Sequence, residues 1–279
     1  MLAGLGISGL AFGGSLLGLN LLPTSAVLAF IMLGAGAAYA YVLHARRTPA
    51  PVLDLSLLAI PTMRAAVLGG FIYRSGIGAM PFLLPLLLQL GFNLTAFESG
   101  MITLSSVVGA MGMKTVIPII LRRHGFRRVL VVNALVSAVM VATCATFTPG
   151  ISFAWIVAVL IVGGFFRSLE FTSLNTIAYA DVDNRRMSRA TSLVAVAQQV
   201  SISVGVAIGA LAVDLTLWAR ARDTITATDF QPAFLAIAAI AGSASLVFAR
   251  LPADAGAELA RRTTAPAAGP TEASDQRMG

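Results

Sequence analysis

The chain of 279 residues is 57% hydrophobic and only 11% charged, with a formal net charge of +7. A soluble domain carries about 25% charged residues, so too little charge is present to dress a water-facing surface. That excludes an ordinary soluble enzyme, a disordered chain and a nucleic-acid binder. The positive balance suits instead the cytoplasmic loops of a polytopic α-helical membrane protein.

A spanning helix needs about 20 mostly apolar residues. In chain order, eight stretches meet that demand, at roughly 2–19, 24–43, 65–90, 97–120, 129–147, 151–179, 190–217 and 231–250. The breaks between them are polar, basic or rich in proline and glycine. His44 to Arg64 is a longer link with three prolines, Arg122 to Arg128 a basic turn, and Thr148-Pro149-Gly150 a minimal one. Asp181 to Arg189 and Trp218 to Asp229 read as charged loops, and the Ala/Pro/Thr/Arg tail from Leu251 reads as disordered. The first basic side chain is Arg46, so the N-terminus does not read as a cleavable signal peptide.

The basic residues set the orientation. Alternate loops collect fourteen of them on one side, from Arg46 to Arg277, against Arg220 and Arg222 on the other. The richer side is predicted to be cytoplasmic, and with eight spans both termini lie there. The other three basic residues, Arg74, Lys114 and Arg167, fall inside spans.

Charged groups at membrane depth cost at least about 2.5–3.5 kcal/mol each and usually face a protein interior or a watery cavity. Arg74 stands ten residues past Arg64, about 15 Å along a helix and near the bilayer midplane. Arg167 and Glu170 share a helix face at a spacing that allows them to pair; Ser173 continues that face and Asn175 flanks it. Gln198 and Gln199 lie at similar depth on the next helix. Lys114 is close enough to the surface to snorkel. Two readings stay open: these groups line a path for substrate or protons, or they lock helices together through a buried ion pair and interhelical hydrogen bonds. The span over 65–90 is interrupted by Gly69, Gly70, Gly76, Gly78, Pro81 and Pro85, and Gly205 with Gly209 suggests close helix packing.

With one cysteine, Cys144, and two loop histidines, His44 and His124, no metal site or cofactor is implied. No acid–base or nucleophile constellation points to an enzyme either.

HARRTPAPVLDLSLLAIPTMR (His44 to Arg64), MPFLLPLLLQLGF (Met80 to Phe92) with FESG after it, and GMK followed by LRRHGFRRVLVVN resemble the major facilitator superfamily. More narrowly they resemble its fourteen-spanner drug:proton antiporter branch. FRSLEFTSLNTIAYADV and VAQQVSISVGVAIG resemble the family's last cytoplasmic loop and its flanks. The loop carrying Lys114, Arg122, Arg123, Gly125, Arg127 and Arg128 resembles a degenerate copy of the family's hallmark motif, with Pro118 at its first glycine and Arg122 at its aspartate.

The resemblance implies an all-α fold: a two-helix linker hairpin over 1–44, a cytoplasmic link over 45–64, a six-helix C-terminal bundle over 65–251 and a tail over 252–279. It implies proton-coupled efflux of small amphipathic or cationic compounds from a bacterial inner membrane. Small molecules, protons and the lipid bilayer are the implied partners, with no nucleic acid. The family's first bundle has no counterpart here, so the alternatives are a half-transporter needing a partner bundle, or a truncated, non-transporting remnant or scaffold.

Overall fold

The computed structural model describes residues 53–220 and 225–256, together with 32, 33, 36 and 40. Most of the predicted hairpin over 2–43 and the tail beyond residue 256 lie outside the described residues. Those described are helical, with no strand among them. Five helices are long and apolar enough to cross a membrane, six if one bent pair counts as a single span. They are α1 (Pro61–Gly91), the bent pair α2 (Ala96–Met113) and α3 (Ile117–His124), α4 (Phe126–Cys144), α5 (Phe153–Ala178), α6 (Met187–Arg220) and α7 (Gln231–Phe248).

Proline and glycine decide where these helices bend. In α1 the regular turns stop at Ile77, resume at Met80, and widen over Ala65–Gly69 and Leu87–Gly91. Pro81 has no N–H to donate and its ring crowds the carbonyl of Ile77, so the helix breaks one turn before it. The same rule corrects the expected continuous span over 97–120. Pro118 crowds the carbonyl of Lys114, and α3 leaves α2 at 60°. Nor is Arg122 to Arg128 a turn: Arg122, Arg123 and His124 end α3, Arg127 and Arg128 open α4, and Gly125 alone reverses the chain at φ +70°. A side chain at that φ would be strained.

Other ends also move. Helix α6 starts at Met187 and runs to Arg220, longer than the 190–217 expected, so Arg189 and Trp218 are helical. The start of the tail is ordered: Leu251 is buried, and a turn bonds the Ala255 N–H to the Pro252 carbonyl and brings Gly256 against Phe126. Leu251 and Ala255 supply the apolar contact that holds it.

Small residues then let backbones approach. Gly205 of α6 packs on the Ser75 carbonyl of α1, and Gly209 on Ala79 and Leu83. On the other side of α1, Gly76 meets Ile237 and Ala241 of α7. Helices α2 and α5 cross closest of all: Gly109 faces the Ile161 carbonyl and Gly164 the Ser106 carbonyl, where an added Cβ would collide with backbone. Helix α4 fits between α5 and α7.

Ion pairs lie at the bundle's two ends. Asp54, which caps the 3-10 turn Leu55–Ala59, accepts from Arg186 at 2.8 Å and lies 3.7 Å from Arg189. Beside it, the Thr62 hydroxyl donates to Asp181 at 2.8 Å. At the opposite end Arg220 meets the buried carboxylate of Asp229 at 2.9 Å. Burial alone would raise the Asp54 carboxyl, but hydrogen bonds from Ser56 and Arg186 outweigh it and hold the group below its usual range.

Candidate functional site

Helices α1, α4 and α5 meet around a buried polar cluster. Arg74, Tyr73, Asn133, Ser137, Glu170 and Ser173 are all buried there at 3% exposure or less. Each comes from an otherwise apolar helix, which points its few polar groups inward because lipid cannot hydrogen-bond them.

Glu170 is the centre. Its Oε2 accepts from Asn133 Nδ2 at 2.8 Å, and the same amide donates to the Phe166 carbonyl at 2.9 Å. Glu170 Oε1 has no partner among the described residues, and neither have Asn133 Oδ1, Ser173 Oγ, Ser75 Oγ and Arg74 Nε. Arg74 donates from Nη2 to Asn175 Oδ1 at 3.3 Å, and its guanidinium carbon lies 5.3 Å from the centre of the Phe171 ring. That stacking is a cation–π contact of a dehydrated arginine. No direct ion pair joins Arg74 to Glu170.

Arg167 does not pair with Glu170, although the spacing allows it. Three residues separate two side chains by about 60° around a helix, enough to aim them at different neighbours. Glu170 points to α4, whereas Arg167 reaches α2, where Nη2 donates to Ser106 Oγ at 3.5 Å. There it forms part of the wall of a cavity of about 630 Å³. Apolar groups of α1, α2, α4 and α5 make most of the rest, among them Met80, Phe97, Met101, Met140 and Leu160. Among the described residues Arg167 is the charged one in that wall. Ser137 is shared by both regions: it lines the cavity, and its Oγ accepts from the Tyr73 hydroxyl at 3.1 Å.

The structure thus brings together Arg74, Glu170, Ser173 and Asn175, and sets Arg167 beside them in the cavity wall. It does not bring in Gln198, half-buried, or Gln199, exposed; neither lines the cavity. Lys114 is exposed at the α2–α3 bend, and Arg122, Arg123, Arg127 and Arg128 are exposed around Gly125. Tyr73, Asn133, Ser106 and Ser137 were not singled out in the sequence. For Asn133 a signal existed, since an amide inside the apolar run after Arg128 needs a partner. The serines and Tyr73 gave none, because such residues are common in membrane helices as interhelical glue.

The profile of the Major Facilitator Superfamily matches residues 66–274. The chain belongs to that superfamily. It is similar to the "Putative multidrug resistance protein MdtD" of Pectobacterium atrosepticum, at 32% identity over 84% of this chain and 50% of that protein. The protein of the same name from Salmonella paratyphi B is 32% identical over 79% of this chain and 47% of its own length. The chain spans about half the length of the curated relatives it matches. As a member of this superfamily with five or six spanning helices among its described residues, it is a multi-pass membrane protein.

Proposed function

We propose that this chain is the C-terminal portion of a secondary active transporter. It moves small amphipathic compounds outward across a bacterial inner membrane at the expense of a proton gradient, with both termini cytoplasmic. The observation that carries this reading is the pairing of an apolar cavity with a sealed carboxyl cluster that shares Ser137 with its wall. Glu170 is the proton carrier: it is free of an ion pair, one oxygen is held by Asn133, and the other is left to hold a proton. Tyr73 and Ser137 form the polar link between that carboxyl's surroundings and the cavity. Arg74 supplies the positive charge that the carboxylate faces once its proton has left. Of the two substrate descriptions, amphipathic and cationic, the cavity favours the first, because its charged wall residue is itself a cation.

The names of the multidrug relatives support an efflux role, and the proposal includes a first bundle that works with this one. On that reading the chain alone is inactive, and the chain with the product of the reading frame upstream of Met1 is active. The test is substrate-dependent collapse of a proton gradient in everted vesicles, with the chain alone and with that product. Coupling is expected only in the second case, and Glu170→Gln is expected to abolish it there. Intact coupling in Glu170→Gln would remove the carrier role. A stop codon upstream of Met1 together with no active partner would leave a non-transporting remnant or scaffold.

A further inference from the structure

The cavity wall holds a charge that no carboxylate among the described residues neutralises. Arg167 sits in the middle of α5, far from either end of Phe153–Ala178. Among the described residues it makes one hydrogen bond, a long one of 3.5 Å to Ser106, and it has no carboxylate partner. A guanidinium carries five N–H donors in a rigid fork suited to planar oxyanions. Most of Arg167's donors are therefore available to whatever occupies the space in front of them. The remaining wall is apolar, with the neutral hydroxyls of Thr103, Ser106 and Ser137 and the Cys144 thiol among its side chains. At about 630 Å³ the space matches ordinary small-molecule sites, which span roughly 300–1,000 Å³. One side of it opens along α2, where Phe97, Met101 and Leu104 are exposed, which leaves room for an apolar tail.

We infer that this cavity binds an anionic amphiphile, its oxyanion head on the Arg167 guanidinium and its apolar body against α1, α2 and α4. The head is a carboxylate or a phosphate, carried either by a compound dissolved in the membrane or by a membrane lipid. In the resting bundle that head is the counter-charge Arg167 lacks. This deepens the transporter reading by naming the substrate class, and it rests on that reading only for what happens to the ligand after it binds.

The test is equilibrium binding to the full chain in nanodiscs of zwitterionic phosphatidylcholine, corrected with empty discs. The probes are a dansyl-labelled undecanoate and the same dansylated chain ending in trimethylammonium. The carboxylate is expected to bind saturably and about tenfold or more tighter than the ammonium. Arg167→Gln should erase that preference, and Arg167→Lys should keep part of it. An ammonium probe that binds as tightly, or a preference that survives Arg167→Gln, overturns the inference. Gly100→Trp guards against misfolding of the arginine variants. Gly100 lies at the cavity wall with nothing within 4 Å of an added Cβ, so tryptophan closes the mouth without displacing the core. Saturable binding should vanish there, and undiminished binding puts the probe elsewhere and overturns the assignment. Replacing phosphatidylcholine by phosphatidylglycerol settles the source: displacement of the carboxylate probe identifies a lipid headgroup, and no displacement a free amphiphile. Both results keep the anionic class. No gradient is applied, so failure here leaves proton coupling standing, and failed coupling in vesicles leaves the binding result standing.

Discussion

Helix α5 presents two ionisable groups three residues apart, and the protein treats them in opposite ways. Glu170 is sealed among α1, α4 and α5 and held by the Asn133 amide. Arg167, turned by about 60°, opens on a cavity and is held by one long contact to α2. The difference teaches that burial at membrane depth is not one condition. A sealed group takes its hydrogen bonds from fixed neighbours, and replacing those neighbours damages the fold. An open group keeps its donors for a ligand, and replacing it damages recognition while the bundle persists.

Adjacent glycines break the comparison most severely. Both line the cavity, but Gly164 lies against the Ser106 backbone, whereas Gly163 has Met140 Cβ 3.7 Å from an added Cβ. Gly164→Leu is expected to force α2 off α5 and to destabilise the bundle by about 3 kcal/mol or more. Gly163→Ala should change stability by less than about 0.5 kcal/mol. Thermal unfolding in detergent, read by helical circular dichroism, separates the two. Equal effects would mean that the α2–α5 crossing is not set by backbone contact.

Asn133→Leu comes next. It keeps the side chain's bulk and strips Glu170 of its side-chain hydrogen bond, at a cost of about 1–3 kcal/mol for a buried group left unsatisfied. Ser106→Ala on the open side removes the long contact to Arg167 and the hydroxyl's own 2.9 Å bond to the Thr103 carbonyl within α2, and should cost less than about 1 kcal/mol. Thermal unfolding of the two variants against the wild type measures both. A larger loss from Ser106→Ala would show that Arg167 is anchored by the protein after all.

These contrasts also mark what could be read from the sequence. Spanning helices were legible because about 20 apolar residues in a row have few other uses, and the depth of Arg74, Arg167 and Glu170 followed from counting residues along a helix. Partners were not legible. A three-residue spacing fixes the angle between Arg167 and Glu170 but not which helix stands opposite each, so it leaves an ion pair and a cavity lining both open, and the two side chains meet different neighbours. Asn133 was passed over because one amide in a long apolar run says only that it needs a partner. The bend before Ile117 is coded by Pro118, whose effect falls four residues upstream, at Lys114, a residue that also reads as a lysine snorkelling from a continuous span. Gln198 and Gln199 were nominated by depth alone, and depth does not say which face of α6 meets the bundle.

The smallest effect concerns where the bundle allows ion pairs at all. Among the described residues they occur at its ends, where water shares the cost of desolvation, and α5 at mid-depth forms none. Asp54 is the clearest case, joining the approach to α1 with the start of α6 through Arg186 and Arg189. Its carboxyl is raised by burial but lowered further by the Ser56 and Arg186 hydrogen bonds, so the net shift is below its ordinary value of 3.8. A carboxyl with a depressed folded pKa adds stability that is complete above its unfolded value and disappears as pH falls through the folded one. Arg186 is more than a third exposed, so the contribution is screened and stays under about 1 kcal/mol. Asp54→Asn should therefore lower thermal stability slightly at neutral pH, and the gap from wild type should close as the pH drops below 3.8. Added salt at neutral pH should narrow it too. A gap that widens on acidification would mean that the protonated carboxyl is the stabilising form, and that this end of the bundle is held by hydrogen bonds alone.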